Sequence, residues 1–303
     1  MDPDVLVVGE SLVDIVRSAD GTFLEYAGGS AANVAVALAR LGRPVRFATS
    51  YADDRHGRMI DEHLDSAGVR LAADPGAVLS TSTAEATIGA DGAASYVFDL
   101  EWRLNPVADD PLPLAVHTCS LGAVLLPGAD DVFGLLERLR GRATISYDVN
   151  ARPAITGTGP DLVARVERVA GVADLVKASD EDLEAFYPGL DHLTAARRLL
   201  ALGPAAVVVT RGGAGAGWVG TTGEVEIASV PVVVADTIGA GDTFGAALID
   251  ALWERGRLGA GGNETLRALG SDEIFDVLSH AARAAAVTVS RPGADPPYRA
   301  ELA

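Results

Sequence analysis

A short glycine-rich segment carries the residue types best suited to chemistry. It reads Asp236-Thr237-Ile238-Gly239-Ala240-Gly241-Asp242 and lies between an apolar run and a helix-like run that begins at Thr243. The first N–H groups of a helix have no partner within it and the helix dipole is positive there, so the segment is typical of an anion site. Asp242 adds a carboxylate that would repel a bound phosphate. A general base that takes a proton from a hydroxyl nucleophile explains this carboxylate, and a helix cap is the plainer alternative.

Polar residues near the start of the chain form a second candidate site. Asp14 lies just past an apolar, strand-like run, where ligands bind in open α/β sheets, and its carboxylate can accept hydrogen bonds from two hydroxyl groups. Gly28 and Gly29 allow a ligand to approach the backbone, and Asn33 offers a donor and an acceptor. The structural alternatives are a solvated turn for Asp14 and a helix-start amide for Asn33.

Short β-branched apolar runs, which indicate strands, alternate with helix-like segments along most of the chain. The predicted strands are 5–9, 45–49, 115–121, 144–148, 175–177 and 206–210. The predicted helices between and after them are 31–41, 56–67, 128–140, 159–170, 180–187 and 193–202, followed by a helical C-terminal third. This alternation predicts an α/β fold in which a mostly parallel central sheet is flanked by helices.

Two stretches break this alternation. Asp20-Gly21 and Asp91-Gly92 are hairpin-turn signals, and each lies between strand-like runs. They predict a small antiparallel sheet, built from about 11–27 and 81–104, beside the main sheet. No internal repeat or low-complexity linker divides the chain, so residues 1–303 are predicted to form a single domain.

The charge balance narrows the choice of partners. The 303 residues include 42 acidic and 24 basic side chains, which gives a net charge of −18. This excess of negative charge disfavours nucleic acid and an acidic membrane surface. No apolar run reaches the ~20 residues of a membrane span, and the N-terminus lacks the basic region of a signal peptide, so a cytoplasmic protein is expected.

The common nucleotide-binding motifs are missing or misplaced. Lys177 is the only lysine among the 24 basic residues, which we attribute to compositional bias, and no phosphate-binding loop lysine exists. Gly215, Gly217 and Gly220 match the spacing of the dinucleotide fingerprint, but a strand-like run follows them where a helix is required, so we interpret the match as accidental. If the chain handles ATP, helix-terminus amides, Mg²⁺ and an arginine must carry the phosphate charge.

Two segments resemble the signatures of the PfkB, or ribokinase-like, family of sugar and nucleoside kinases. One is Gly28–Gly42 and the other is Asp236–Phe244, about 200 residues further on, and the resemblance runs from about Val5 to about Pro297. Two ordered signatures are more specific than either alone. The resemblance implies a ribokinase-like fold with a small β-sheet lid over the sugar site, and a homodimer formed through that lid.

The resemblance also implies roles for the residues of the two signatures. Asp242 is expected to be the catalytic base, and the amides of Gly239, Ala240 and Gly241 are expected to hold the transferring phosphoryl group. Asp14, Gly28, Gly29 and Asn33 are expected to contact the sugar.

Asp148-Val149-Asn150-Ala151-Arg152-Pro153 resembles a segment of fructokinase-like and ketodeoxygluconate kinase-like members. It implies Arg152 as a phosphate ligand and Asn150 as a polar contact near sugar or phosphate, with a plain surface turn as the alternative. Ser179 and Asp182 stand where the family usually shows Asn-x-x-Glu, tied to Mg²⁺ and phosphate. This departure weakens a metal role for Asp182, which would act through water, and Ser179 also fits an N-cap.

A further match implies which residues contact the nucleotide. Thr210-Arg211-Gly212 resembles the family's Thr-x-Gly, with Arg211 as the departure. The residues expected at the nucleotide are Ser179, Thr210, Gly212, Gly239 and Gly241. By the same resemblance, Asp236 and the backbone of Ile238 would ligate a monovalent cation such as potassium.

The chain is therefore identified as a member expected to transfer the γ-phosphoryl group of ATP, with Mg²⁺, to a hydroxymethyl group of a monosaccharide. A fructokinase-like activity is favoured by Gly9-Glu10, the Asp148–Pro153 segment and Arg291-Pro292-Gly293-Ala294. Arg103 could instead bind the carboxylate of a sugar acid, so a 2-keto-3-deoxygluconate kinase is one alternative function. A nucleoside kinase is a further alternative. A non-catalytic sugar- or nucleotide-binding regulator is the remaining one, although a binder has no need of a base beside a phosphate site.

Overall fold

The computed structural model describes residues 3–17, 22–88 and 94–302. The predicted turns at Asp20-Gly21 and Asp91-Gly92 lie outside these described residues. Among the helices of the described ranges, none is both long enough and apolar enough to cross a bilayer.

Strands and helices alternate through most of the described chain, as the apolar pattern predicts. The strands are β1 (Val5–Val8), β2 (Leu12–Arg17), β3 (Phe23–Gly28), β4 (Val45–Ala48), β5 (Arg70–Leu71), β6 (Thr83–Ile88), β7 (Ala94–Asp99), β8 (Ala115–Cys119), β9 (Thr144–Asp148), β10 (Leu175–Ser179), β11 (Ala206–Thr210), β12 (Ala216–Gly220) and β13 (Gly223–Ile227). The helices are α1 (Ser30–Arg40), α2 (Arg55–Ser66), α3 (Ser120–Val124), α4 (Gly128–Leu139), α5 (Pro153–Thr156), α6 (Pro160–Ala170), α7 (Asp180–Phe186), α8 (His192–Leu200), α9 (Ala240–Glu254), α10 (Gly262–Arg267) and α11 (Ser271–Val289).

The main sheet has nine strands in the order β13-β12-β11-β10-β9-β8-β1-β4-β5. All neighbouring strands from β11 to β5 run parallel, and β12 and β13 add an antiparallel edge. The mostly parallel central sheet is therefore confirmed. The carboxyl ends of the parallel strands meet at one edge, which is where open α/β sheets bind ligands.

Both faces of the main sheet are covered, which explains why its central strands read as continuous apolar runs. On one face, Leu6 and Val8 of β1 belong to a core that includes side chains of α4, α6 and α8. On the other face, Val5 and Val7 pack with side chains of α1 and α9. Helices α9 and α11 also pack closely against each other along the second face.

A second sheet lies apart from the main one and has the order β3-β2-β6-β7. The pairs β2–β3 and β6–β7 are antiparallel, as the hairpin signals predict, and the two hairpins join through a parallel pair, β2 with β6. The parallel pair is possible because the hairpins come from separate segments, with α1, β4, α2 and β5 between them.

The apolar run before the glycine-rich segment differs from a buried strand. Residues 230–235 form no strand, and Val233 is exposed. The backbone N–H groups of Ala235 and Asp236 instead donate to the carbonyl of Val289 at the end of α11. The glycine-rich turn is thus held by the C-terminal helix and not by the sheet.

Candidate active site

Asp242 is the centre of a buried hydrogen-bonded cluster in the first turn of α9. The residue is only 6% exposed. Its Oδ1 accepts a hydrogen bond from Ser30 Oγ at 2.7 Å, and its Oδ2 accepts one from Asn33 Nδ2 at 2.8 Å. Asn150 Nδ2 lies 3.3 Å from Oδ1 and 2.8 Å from Ser30 Oγ. The carboxylate is therefore held in a fixed orientation by groups from two separate segments, α1 and the loop that contains Asn150.

The start of α1 places Ser30 and Asn33 on this carboxylate. Residues three apart share one face of a helix, and α1 packs directly against α9. Gly29 precedes the helix with φ of 99°, a conformation that L residues with a Cβ rarely adopt. A Cβ there would also lie 2.9 Å from the carbonyl oxygen of Glu10, so the glycine lets α1 begin close to the end of β1.

The glycine-rich turn forms the expected helix N-terminus. Gly239 is the N-cap of α9 in the left-handed conformation, with φ of 74°. Ala240 donates its N–H to Thr237 O over 3.3 Å, a long and weak bond. Gly241 and Asp242 follow in the first turn, where amides point out of the helix and the dipole is positive. The turn has the features of an anion site directly beside the Asp242 carboxylate.

Asp14 lies on β2, in the second sheet, and its carboxylate reaches back over Gly28. A Cβ on Gly28 would lie 2.8 Å from Asp14 Oδ2, so these two predicted sugar-site residues are adjacent. Asp14 is exposed to solvent, but the protein atoms around its carboxylate desolvate it and raise its pKa to about 6, and the charge of Arg152 opposes that rise. Because the charge of Arg152 acts on Asp14, the Asp148–Pro153 segment belongs to the same site.

Asn150 and Arg152 follow the end of β9. Asn150 has a positive φ of 37°, and it donates into the Asp242 cluster. Arg152 is exposed, and its Nη1 donates to Asn150 Oδ1 at 2.6 Å and to Ala151 O at 2.9 Å. Arg152 is thus a solvent-accessible cation at the mouth of the site, which suits the predicted contact with a phosphate.

Glu10 is a buried carboxylate that the residue types did not single out as a site residue. It follows β1 and is 6% exposed, and its Oε2 accepts a 2.6 Å hydrogen bond from the N–H of Gly122. Burial raises the pKa of Glu10 to about 7. Hydrogen bonds from the backbone N–H groups of Glu10 and Gly122 and the charge of Arg152 oppose this rise, and the charge of Asp242 adds to it. The sequence signal that could have predicted Glu10 as a site residue is its position, in Gly9-Glu10 directly after the first strand.

Lys177 and Asp148 form a buried ion pair under the site, and neither was predicted to take part in it. Lys177 Nζ donates to Asp148 Oδ2 at 2.7 Å, with side chains 7% and 1% exposed. Burial raises the pKa of Asp148 to about 6, and the Lys177 charge opposes that rise. The two residues lie side by side on neighbouring strands β9 and β10.

Ser179 and Asp182 form a capping box at the start of α7. Asp182 donates its N–H to Ser179 Oγ, and Asp182 Oδ2 accepts the N–H of Ser179 at 2.8 Å. Asp182 Oδ1 accepts the N–H of Ala151 at 2.7 Å, so both carboxylate oxygens already have backbone donors. This matches the capping alternative for Ser179, while the water-mediated metal contact of Asp182 stays a prediction.

Thr210 ends β11 directly beside Ser179 of β10, and Gly212 follows in the loop. Both residues therefore lie at the carboxyl edge of the sheet, as a nucleotide site requires. Arg211, between them, turns toward β13, where its Nη1 lies 3.3 Å from Glu226 Oε1. The hairpin β12–β13 that follows contains no helix, which agrees with the interpretation of the dinucleotide match as accidental.

Asp236 ties the glycine-rich turn to the segment after α11. Its Oδ1 accepts the N–H of Ile238 at 3.0 Å, and its Oδ2 accepts the N–H of Gly293 at 2.9 Å. These backbone hydrogen bonds lower the pKa of Asp236. A carboxylate with a lowered pKa, beside the exposed Ile238, suits the predicted monovalent cation. In the described ranges, no group of three or more His, Cys, Asp or Glu side chains is arranged to hold a metal ion.

Arg103 lies outside the cluster of Asp242 contacts. It is exposed in the segment after β7, and its Nε lies 3.5 Å from Glu101 Oε1. Its neighbour Trp102 is buried and donates Nε1–H to Gly122 O, which anchors the segment to the main body. No contact of the described residues connects Arg103 with Asp242, Asn33 or Asn150.

Residues 2–301 match the pattern of the pfkB family carbohydrate kinases, which is nearly the whole chain. The chain belongs to the pfkB family. It is therefore a carbohydrate kinase, a phosphotransferase that acts on a sugar hydroxyl.

Several relatives within the family are fructokinases. A fructokinase of Rhizobium leguminosarum bv. trifolii is 35% identical over 261 residues, which cover 82% of this chain and 79% of the relative. The structure of a fructokinase with bound ATP from Xylella fastidiosa superposes with a TM-score of 0.84 at 27% identity, covering 99% of this chain and 96% of that one. A fructokinase double mutant from Vibrio cholerae O395, with fructose, ADP and potassium ion bound, has a TM-score of 0.76 at 26% identity, covering 96% and 94%.

The similarity to these fructokinases identifies the chain as an ATP-dependent sugar kinase of the fructokinase-like type. They confirm the ribokinase-like fold with a separate small sheet. The alternatives of a 2-keto-3-deoxygluconate kinase, a nucleoside kinase and a non-catalytic regulator are not favoured by them.

Proposed function

We propose that this kinase phosphorylates fructose at a hydroxymethyl group, with Asp242 as the catalytic base. The observation that carries the proposal is the position of the Asp242 carboxylate. It lies in the first turn of α9, beside the Gly239–Gly241 amides, and it faces Asn33 and Ser30 of α1. Fructose is favoured among sugars because the similar proteins reported above are fructokinases.

The chemical step needs alignment and charge stabilisation more than covalent work. A sugar hydroxyl within hydrogen-bond reach of Asp242 would transfer its proton to the carboxylate as the hydroxyl oxygen attacks the γ-phosphorus. The bond between that phosphorus and the β,γ-bridging oxygen breaks, and ADP leaves. The amides of Gly239, Ala240 and Gly241 would stabilise the transferring phosphoryl group. Ser30 and Asn33 orient the base, since each donates to a different oxygen of Asp242.

The sugar would be held between the two sheets. Asp14 and the backbone at Gly28 and Gly29 would contact its hydroxyl groups, and Asn33 would bridge the sugar and the base. Asn150 and Arg152 would bind on the phosphate side. Arg103, exposed in the segment that follows β7, would reach the sugar only if that segment closes over it.

The nucleotide would lie along the carboxyl edge of β10 and β11. We place its phosphates near Ser179, Thr210 and Gly212, and over the turn at Gly239 and Gly241. Bound Mg²⁺ would supply neutralising charge on the phosphate oxygens, and a magnesium site typically keeps several waters and takes one or two carboxylates. Asp182 fits such a water-mediated contact because its oxygens already accept backbone hydrogen bonds. Asp236 and the backbone of Ile238 would hold a monovalent cation such as potassium.

The small sheet would act as the lid of a single kinase domain spanning residues 1–303, and it would join two subunits in a homodimer. Its register puts Leu24, Tyr26 and Tyr96 on the same face as Asp14, and all three are more than half exposed. An apolar patch beside a polar site residue is typical of a surface that closes over a ligand or a partner. We further propose that the enzyme works in the cytoplasm, on free sugar and ATP.

A substrate panel tests the proposal. ADP release with Mg-ATP would be measured on fructose, ribose, 2-keto-3-deoxygluconate, tagatose 6-phosphate, fructose 1-phosphate and adenosine. Fructose is expected to give the highest kcat/KM. A higher kcat/KM on 2-keto-3-deoxygluconate would contradict the fructose assignment and point to Arg103, whereas sugar or ATP binding without turnover would restore the regulator alternative.

A further inference from the structure

Lys177, the only lysine of the chain, lies beneath the turn Gly239–Gly241, whose amides are proposed to hold the phosphoryl group. Lys177 is the third residue of β10, and its side chain points toward α9. A Cβ added to Gly241 would lie 3.4 Å from Lys177 Nζ, and one added to Gly245 would lie 3.9 Å from Lys177 Cδ. Two glycines four residues apart therefore open the underside of α9 to the ammonium group, at the turn whose amides are proposed to bind phosphate.

The surroundings of Lys177 keep it charged. Burial lowers the pKa of Lys177, but the charges of Asp148, Asp182 and Asp242, with the Asp148 hydrogen bond, raise it above its ordinary value. Asp148 takes one of the three ammonium hydrogens, at 2.7 Å. The ammonium is thus a fixed, buried positive charge among several carboxylates, whereas Arg152, the other cation of the site, is exposed.

The choice of lysine also fits the space. Arginine carries a planar fork with five donors, while lysine carries a compact charge on a flexible stem. Every other basic residue in this chain is arginine. Lys177 Nζ lies 3.4 Å from where a Cβ on Gly241 would be, so the larger guanidinium group would have less room beneath the first turn of α9. The compact ammonium group fits that space, although the composition of the chain favours arginine elsewhere.

We propose that Lys177 is a positioning residue for phosphoryl transfer, whose buried ammonium strengthens the anion-binding turn of α9 from below. Acting through the Gly241 turn, it adds positive potential where negative charge develops on the transferring phosphoryl group. It also offsets the carboxylates around Asp242. The proposal rests on the phosphoryl-transfer function given above.

A plain structural role is the rival explanation, because Lys177 also neutralises buried Asp148. Lys177→Met alone would leave that carboxylate unpaired, which is strongly destabilising and could prevent folding. The double variant Lys177→Met/Asp148→Leu removes both charges and introduces apolar side chains of similar size in their place. Replacing a buried ion pair in this way is often neutral for stability, so the double variant separates the two roles.

We expect the folded double variant to lose roughly ten- to hundredfold in kcat with fructose and Mg-ATP, the range that a nearby fixed charge supplies in a low-dielectric interior. The KM for fructose should change much less, because the proposed sugar contacts are made by Asp14 and Asn33 and not by Lys177. The matched control is Arg46→Met/Asp4→Leu, which removes another buried ion pair, with Nε–Oδ2 of 2.5 Å, next to the amino end of β1. Its kcat should equal that of the wild type.

A second measurement uses the wild-type protein and does not depend on folding of a variant. Because Lys177 is the only lysine, ¹³Cε-lysine labelling of a chain with a lysine-free tag gives one lysine signal in the NMR spectrum. The signal is expected to shift when β,γ-imido-ATP with Mg²⁺ binds, as measured in parallel by calorimetry.

Wild-type kcat in the folded double variant, or an unmoved lysine signal with the analogue bound, overturns the proposal while leaving the kinase function intact. A wild type that neither binds the analogue nor phosphorylates any sugar overturns both. A reduced kcat in the double variant, together with a shifted signal and an unchanged control, supports it.

Discussion

At the scale of single residues, the site is built from contacts between distant parts of the chain. Asp242 could be predicted from sequence because it follows a glycine-rich turn, and Asn33 because it lies one turn into a helix that follows two glycines. Ser30 and Glu10 were missed as site residues. Ser30 meets Asp242 across 212 positions, and only the packing of α1 on α9 creates that contact.

Lys177 illustrates a different limit. Its sequence neighbours are those of an ordinary buried strand, and a charged residue there has no visible partner in the sequence. The partner is Asp148 on the next strand, and the reason for the pair is the space under Gly241 and Gly245. Such information depends on strand order and helix placement, which a single sequence does not fix.

Glu10 gives a pH-dependent prediction at the residue scale. Its pKa is raised from 4.5 to about 7, so the folded protein binds this proton more tightly than the unfolded chain does. The free energy of unfolding should therefore fall as the pH rises from about 5 to about 7. Glu10→Gln keeps an acceptor for the Gly122 N–H and removes the charge. Relative to this variant, the wild type should lose about 2 kcal/mol of stability between pH 5 and pH 8.

Urea unfolding of both proteins at the two pH values measures this difference. Glu137→Gln, which changes an exposed carboxylate on α4, is the control and should follow the wild type at both pH values. Equal pH dependence in the wild type and Glu10→Gln would mean that burial does not hold the proton on Glu10.

At the scale of elements, the alternation of apolar runs was enough to predict the parallel sheet and nearly every flanking helix. Strand order and the exact end of each element were not available from it. The run at residues 230–235 shows why, since its β-branched composition is strand-like. There the backbone donors of Ala235 and Asp236 pair with the end of α11, and the run forms no strand.

The start of α9 yields a prediction about the glycine-rich turn. Gly239→Ala introduces a Cβ at φ of 74°, and this Cβ would lie 2.7 Å from Ala294 Cβ. Gly256→Ala introduces one at φ of 62° with no atom within 4 Å, so it reports backbone strain alone. Gly256→Ala should cost about 1–2 kcal/mol of stability. Gly239→Ala should cost about 1 kcal/mol more, because the crowded atoms must also shift.

Thermal unfolding and the KM for ATP measure the two effects. Gly239→Ala should also raise the KM for ATP, while Gly256→Ala should leave it unchanged. Equal stability losses and an unchanged KM for ATP in both variants would show that the turn tolerates displacement and does not define the phosphate site.

At the scale of the whole molecule, the small sheet is the feature on which the proposed homodimer depends. Its exposed face carries Leu24, Tyr26 and Tyr96, and Tyr96 stacks on Phe98 with ring centroids 6.0 Å apart. Two hairpin signals were enough to predict this sheet. The parallel pairing of β2 with β6 could not be predicted, because it depends on how the main body orients the two hairpins.

The proposed homodimer is tested by changing that face. Tyr96→Glu places a charge on this exposed face, on the edge strand β7, so the variant should run as a monomer in light scattering coupled to size exclusion, where we expect the wild type to run as a dimer. Phe275→Glu is the control, since Phe275 is an exposed aromatic residue on α11, far along the chain from the small sheet. A monomeric wild type, or a dimer that persists in Tyr96→Glu and dissociates in Phe275→Glu, would place the interface elsewhere.

The central claim is that Asp242 takes the proton of the sugar hydroxyl while α9 holds the phosphoryl group. The most direct measurement is kcat for fructose phosphorylation by Asp242→Asn, which keeps the size of the side chain and one of the two oxygens that accept from Ser30 and Asn33. We predict that kcat falls by roughly 10²–10⁴-fold, the range of general base catalysis, while ATP binding measured by calorimetry persists. A kcat within a few-fold of the wild type would contradict the account.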